Sequence, residues 1–247
     1  MQVQAKVLVV HVQHTGVSST QPEEWARELV TGVADDLSAF HLDVRTEIRK
    51  APRSAVVREI AEAVSQFDPH LVVLGSRRPS ELRLLFGGSV SAGVVRRAIC
   101  PVMLVRDSRR TVARRRRVLV ALAGYEDLEA VTSTIPWLLE PSSEVVVWHG
   151  TRDRHSAGAV ADNIREVVEA LRSGGYQAQG WLEPEVLGLP DDIRYAAEDF
   201  AADMLAVGAR RMSELSAFLR GSVSRRVAHL TDLPVLVVPT RSRPEQS

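Results

Sequence analysis

The sequence predicts an α/β protein built from two similar domains in tandem, each with a parallel sheet covered by helices. Short apolar, strand-like segments alternate with segments of helical periodicity along most of the chain. Such alternation is typical of right-handed crossovers in a parallel sheet with helices on both faces. At an offset of 133 residues, 14 of the 31 positions in 75–105 are identical to those in 208–238, where ordinary residue usage predicts about two. The second half is therefore a repeat of the first.

The second copy contains the complete series of elements. Its predicted strands are residues 118–122, 144–148, 176–182, 204–207 and 234–238. Its predicted helices are residues 126–139, 159–172, 190–200 and one that begins near Gly221. Pro190 suits the first turn of the third helix, and Asp191 and Asp192 suit its N-terminus, because the helix dipole favours negative charge there.

The first copy has the same order but begins at the second strand. Its predicted elements are a strand at 7–11, a helix at 22–40, a strand at 43–49, a helix at 53–66 and a strand at 71–74. The first strand and helix of the repeat are missing. Either the natural chain starts upstream, or the incomplete copy closes its sheet against the complete one. We expect that a strand and helix added before Met1 would raise stability.

The predicted domains are residues 1–106 and 118–240, followed by a tail at 241–247. An arginine-rich linker at 107–117 joins them, and its lack of interleaved aromatic residues favours a solvated segment over a nucleic-acid contact. Strands 102–105 and 235–238 would otherwise be open apolar edges, so they are predicted to pack together as a pseudo-dimer within the chain. A homodimer is a second expectation.

Composition excludes several classes of protein. The 31 basic and 31 acidic residues cancel, so no overall field attracts nucleic acid or an anionic membrane. No apolar run reaches the roughly 18 residues of a membrane span, and we expect a cytoplasmic protein. The single cysteine, Cys100, excludes an intrachain disulfide. His11 and His14 lack a third ligand at a recognisable spacing, so no metal is predicted.

Each copy carries a pattern that suits an anion. An apolar strand ends on glycine, an Arg-Arg loop follows, and nine residues after the second arginine a Gly-Ser pair opens a helix. Glycine allows close backbone approach, and free N–H groups at a helix start attract phosphate. A simple turn and N-cap is the alternative interpretation. Neither copy offers a Ser-His-Asp or Cys-His set, so no enzymatic activity is expected.

The pattern Gly-x-x-Arg-x9-Gly-Ser resembles the Gly-x-x-Gly-x9-Gly-Ser/Thr signature of the universal stress protein family, and the resemblance covers nearly the whole chain. It implies two flavodoxin-like (Rossmann-like) domains with strand order 3-2-1-4-5 and ATP, or a related adenine nucleotide, as ligand. It places the phosphate contacts on Gly75, Gly88, Ser89 and Val90 in the first copy and on Gly208, Gly221, Ser222 and Val223 in the second.

Three positions depart from the family pattern. Arg78 and Arg211 replace the second glycine of the signature, where a side chain either crowds the phosphates or binds them. Ala123 stands where the family has a carboxylate that holds the nucleotide. Two functions follow: a nucleotide-binding regulatory protein of the stress response, or a ligand-free interaction protein that keeps the fold.

Overall fold

The computed structural model describes residues 5–15, 22–76, 90–106, 116–121, 126–151, 157–210 and 231–240. The chain divides into two compact units, residues 1–69 and 70–247. This division falls inside the first repeat and differs from the predicted domain bounds, 1–106 and 118–240, which stay a prediction.

The first unit contains two parallel strands and two helices among its described residues. In order they are β1 (Lys6–His14), α1 (Glu23–Ser38), β2 (Asp43–Ala51) and α2 (Val56–Phe67). Its buried residues are few and mostly small: Gln13, Ala26, Val30, Ala51 and Ala63. Arg49 on β2 joins the elements, because its guanidinium donates to the Glu59 carbonyl of α2 at 3.0 Å and to Gln66 at 2.7 Å.

The strand β1 is longer and less buried than expected. It continues to His14, so His11 does not end the strand as the sequence indicated. Residues 7–12 are half-buried, whereas the matching strand of the second repeat buries Val145 to Trp148. Among the described residues β1 pairs with β2 alone, and a strand with one neighbour leaves more apolar surface to water.

The second unit contains a seven-stranded sheet. Its elements are β3 (Val72–Ser76), α3 (Val90–Arg97), β4 (Val102–Arg106), β5 (Arg117–Ala121), α4 (Glu126–Leu138), β6 (Glu144–Thr151), α5 (Ala157–Ser173), β7 (Gln177–Pro184), α6 (Leu189–Asp199), β8 (Met204–Arg210) and β9 (Val235–Thr240). The strand order is β3-β4-β9-β8-β5-β6-β7.

The second repeat has the expected order 3-2-1-4-5, which appears as β7-β6-β5-β8-β9. All neighbouring pairs in this stretch are parallel. The helix α4 contacts β8 and β9, α5 contacts β6 and β7, and α6 contacts β5 and β6. The central strand β5 is covered most completely, since Val118, Leu119 and Val120 are all 0% exposed. Full burial of one such side chain contributes about 1.5–3 kcal/mol.

The two repeats join through their last strands, as the sequence predicted. β4 pairs with β9 in antiparallel register, with Val102 opposite Val237 and Leu104 opposite Val235. We call this β4–β9 pairing the seam. It joins β3 and β4 of the first repeat to the five strands of the second repeat in one sheet and closes two strand edges that would otherwise be open.

Candidate functional site

The candidate site lies where the strand order of the second repeat reverses. The chain leaves β5 for β6 on one side and leaves β8 for β9 on the other, while β5 and β8 are themselves neighbours with Ala121 opposite Val207. At such a point the connections diverge above the carboxyl ends of the strands and leave a crevice in which ligands of open α/β sheets bind.

The floor of this crevice is apolar and closely packed. Ala121 is 7% exposed and Val207 6% exposed, and the next residue of β8, Gly208, is buried beside Val238 of β9. A floor of small side chains lets a ligand approach the strand ends, and glycine in particular allows close contact with the backbone. Residues 122–125, which follow β5, lie outside the described residues.

The end of β6 is held next to this floor by a local network. The Trp148 indole N–H donates to Glu183 of β7 at 2.7 Å. Gly150 leaves room for the Trp148 ring and for Leu189, since a Cβ there would lie 2.7 Å and 3.1 Å from them. The Glu185 N–H donates to the Thr151 carbonyl at 2.9 Å. The loop that follows β7 is therefore fastened to β6.

Asp192 organises that same loop, residues 185–188. Its buried carboxylate accepts hydrogen bonds from the N–H groups of Val186 at 3.2 Å and Leu187 at 3.1 Å. The sequence predicted an acidic residue favoured by the dipole of α6 but did not predict these partners. The signal in the sequence is Gly188 itself, because glycine before a helix often marks such a turn; its φ in the structure is positive, 96°.

The structure describes three of the ten predicted phosphate-site residues. Gly208 and Gly75 lie in equivalent strands of the two repeats: Gly208 is two residues before the end of β8, and Gly75 is one residue before the end of β3. Val90 begins α3. The strands thus continue past the glycines that were expected to end them. The other predicted positions lie outside the described residues: Arg78, Gly88, Ser89, Arg211, Gly221, Ser222 and Val223. Ala123 lies there as well.

The two repeats differ in the strands that flank the first glycine of the signature. Gly208 belongs to a strand with neighbours on both sides, β5 and β9. Gly75 belongs to β3, which in the described part of the chain pairs with β4 alone, and a Cβ at Gly75 would meet nothing within 4 Å. The second repeat therefore has the more enclosed crevice.

The described ranges contain neither a cluster of metal-binding side chains nor a membrane-spanning helix. No group of three or more His, Cys, Asp or Glu side chains there could hold a metal ion. None of the helices in those ranges is both long enough and apolar enough to span a membrane.

Comparison with known proteins identifies the family. A model of the universal stress protein family matches the chain twice, at residues 2–106 and 114–239. The chain belongs to the universal stress protein family. The two matches confirm the tandem arrangement of universal stress domains that the repeat predicted.

Relatives agree with this assignment. A universal stress protein of Mycolicibacterium smegmatis is 30% identical over 225 residues, which cover 85% of this chain and 74% of that protein. The crystal structure of a universal stress protein from Archaeoglobus fulgidus superposes with a TM-score of 0.71 at 20% identity, covering 96% of this chain and 86% of that one. A universal-stress-type protein of Pseudomonas aeruginosa gives 0.61 at 16% identity, covering 97% and 94%. These structures share the fold.

Proposed function

We propose that this universal stress protein is a regulatory protein that binds an adenine nucleotide, ATP in the first instance, and that the second repeat holds the site. The observation that supports the proposal is the reversal of strand order in that repeat, where β5 and β8 lie side by side and carry the buried Ala121, Val207 and Gly208 near their carboxyl ends. The strand that forms one wall, β5, has no counterpart beside β3 in the described residues.

The phosphates would contact the two glycine positions of the signature. Gly208 would admit them to the end of β8, and backbone N–H groups at Gly221 and Ser222 would donate to them, helped by the helix dipole. Arg211 is placed by sequence between these positions and would clamp a phosphate oxygen with its guanidinium. Because no catalytic set is present in the sequence, we propose binding without chemistry, with ligand state controlling association.

Calorimetric titration of ATP into the purified protein tests the site. We expect one site per chain, and we expect Gly221→Val to abolish the binding heat because a branched side chain would occupy the space of a phosphate oxygen. Gly88→Val is the matched control, since it makes the same change at the equivalent position of the first repeat and should leave the affinity within twofold. Ala123→Asp should strengthen binding by restoring the acidic position of the family.

The opposite pattern would contradict the proposal. Binding that survives Gly221→Val, or that is lost with Gly88→Val, would assign the ligand to the first repeat. Absence of heat in every variant, together with no nucleotide released from denatured protein, would favour the second candidate, a ligand-free interaction protein. The exposed edge of the sheet at β3 favours that candidate, because it is a surface that a partner could cover.

A further inference from the structure

One row of side chains crosses the seven-stranded sheet on a single face and loses its cover at one end. The pairing register aligns Val120, Ala206, Leu236, Met103 and Val73 across β5, β8, β9, β4 and β3. The first three are 0% exposed. Met103 is partly buried against the core, and Val73 is 59% exposed.

The cover over the buried end of this row is α4. Its residue Ile135 is 0% exposed, and Leu139, directly after the helix, is 5% exposed; both belong to the same core cluster as Ala206 and Leu236. The helix contacts β8 and β9 and thus covers strands four and five of the second repeat.

In the first repeat, Met103 of β4 still packs against the core cluster that contains Ile135 and Leu139, but among the described residues no such helix covers the exposed Val73 of β3. Val73 occupies the position of Ala206, because the two repeats are offset by 133 residues. The equivalent position is therefore fully buried in the second repeat, at Ala206, and 59% exposed in the first, at Val73. Gly75, two residues further along the same face, is also exposed.

One edge of β3 also has no paired strand in the described part of the chain. In the second repeat the equivalent strand, β8, is paired on this side with β5, with Leu119 opposite Leu205 and Val120 opposite Ala206. β3 ends the sheet and pairs with β4 alone in the described part of the chain. An unpaired strand edge is a template for an added strand.

We propose that the edge and exposed face of β3 form a docking surface for a partner polypeptide that supplies an apolar β-strand followed by an amphipathic helix. The strand would add parallel to β3, opposite Val72 to Leu74, and the helix would cover Val73 as α4 covers Ala206. The second repeat shows which occupant fits, because β5 and α4 fill the equivalent surface there. The added strand would extend a sheet that already crosses the seam.

A synthetic peptide with the sequence of residues 116–140, which contains β5 and α4, is the probe. Fluorescently labelled peptide is titrated with the full chain in the absence of nucleotide. We expect saturable one-to-one binding, absent for a peptide of the same composition in scrambled order. Hydrogen exchange of the unlabelled complex should show protection gained at the amides of β3.

Val73→Asp should weaken this binding at least tenfold, because a carboxylate would lie under the docked helix. Val186→Asp is the matched control, since Val186 is 74% exposed on the loop after β7, away from β3, and should leave binding within twofold. Both valines are exposed, so both variants are expected to fold; the exchange measurement on the unsubstituted chain judges the proposal without either of them.

Any of four results would overturn the proposal. The first is no saturable binding of the peptide, and the second is equal binding by Val73→Asp and the unsubstituted chain. The third is protection gained at β7, the opposite edge of the sheet, instead of β3. A concentration-dependent dimer that Val73→Asp dissociates would assign the surface to a second copy of this chain and would also refute a separate partner. None of these outcomes depends on whether the protein binds ATP.

Discussion

At Gly180, in the second repeat, the packing of a helix against the sheet leaves no room for a side chain. It lies in β7 opposite Val147, and a Cβ at this position would overlap Cγ2 of Ile164 in α5. The helix can approach the sheet here because the strand carries no side chain. Glycine in a strand is otherwise unfavourable, so the close packing of α5 explains its presence.

Gly180→Ala should therefore destabilise the protein by about 1–3 kcal/mol, the usual cost of overpacking a core. Chemical denaturation measures it. Combining it with Ile164→Ala should cost less than the two single changes added together, because the shorter side chain removes the overlap. Gly158→Ala is the control: a Cβ there meets nothing within 4 Å, and the protein should be unchanged or up to about 1 kcal/mol more stable. Equal costs at positions 180 and 158 would contradict the packing argument.

At the scale of elements, a few polar side chains fasten loops and helices to strands. Asp192 holds the loop 185–188 through two backbone N–H groups. Glu23 of α1 holds Lys50 of β2 at 2.7 Å and Arg27 of its own helix at 2.9 Å. Both interactions are exposed, since the side chains of Lys50 and Arg27 are 52% and 70% exposed, so each should contribute little to stability.

Asp192→Ala should destabilise the second repeat by about 1–2 kcal/mol, since two N–H groups lose their acceptor. Urea unfolding measures the change. Asp162→Ala removes an exposed carboxylate paired with Arg165 in α5 and should stay within about 0.5 kcal/mol. If the two substitutions cost the same, Asp192 does not organise the loop.

The contacts of Glu23 predict a pH dependence. Hydrogen bonds from Lys50, and then from Arg27, lower the pKa of the Glu23 carboxyl below its ordinary value. The folded state is thus favoured above the ordinary pKa, and this contribution is lost as the pH falls through the lowered value. An NMR titration should find the lowered midpoint, and Lys50→Gln should return it towards the ordinary value. A midpoint unmoved by Lys50→Gln would show that the pair does not persist in solution.

At the scale of the whole molecule, the seam joins the last two strands of the first repeat to the five-stranded sheet of the second. Val237 is 7% exposed and lies opposite Val102, which is 1% exposed. Both residues are apolar, and the residues paired between β4 and β9 include no charged side chain.

Val237→Asp should cost about 3–5 kcal/mol, because it buries an unpaired charge at the seam. Thermal and denaturant unfolding measure the loss, with Val186→Asp as the exposed control. A change below about 0.5 kcal/mol, the size usual for surface substitutions, would mean that the seam is open to water in solution.

Much of this architecture could be predicted from the sequence. Alternating patterns predicted every described strand and helix, and the open apolar edges of the two last strands predicted that these strands would meet. Boundaries were less certain: β1 was expected at 7–11 and occupies Lys6–His14, because an apolar pattern does not show where strand pairing stops. The pairing of β1 with β2 is the one that the order 3-2-1-4-5 implies for strands two and three. That these two strands form a sheet of their own was not predicted, because it depends on which neighbours a strand finds.

The candidate site was predicted in part. The signature placed Gly75 and Gly208 at equivalent strand ends, and the structure has both in those strands. The fastening of the β7–α6 loop by Asp192 and the close approach at Gly150 were missed, because they join residues whose distance in space the sequence does not reveal. Most of the signature, from Arg78 to Ser89 and from Arg211 to Val223, lies outside the described residues.

The seam has a consequence for how the two halves respond to dilution and to mutation. Pairing of β4 with β9 occurs within a single chain, so it is a unimolecular equilibrium that persists at any protein concentration. In a symmetric dimer one substitution would appear twice, once in each subunit. Here each half carries its own residues at every position, so a substitution in one half leaves the sequence of the other half unchanged.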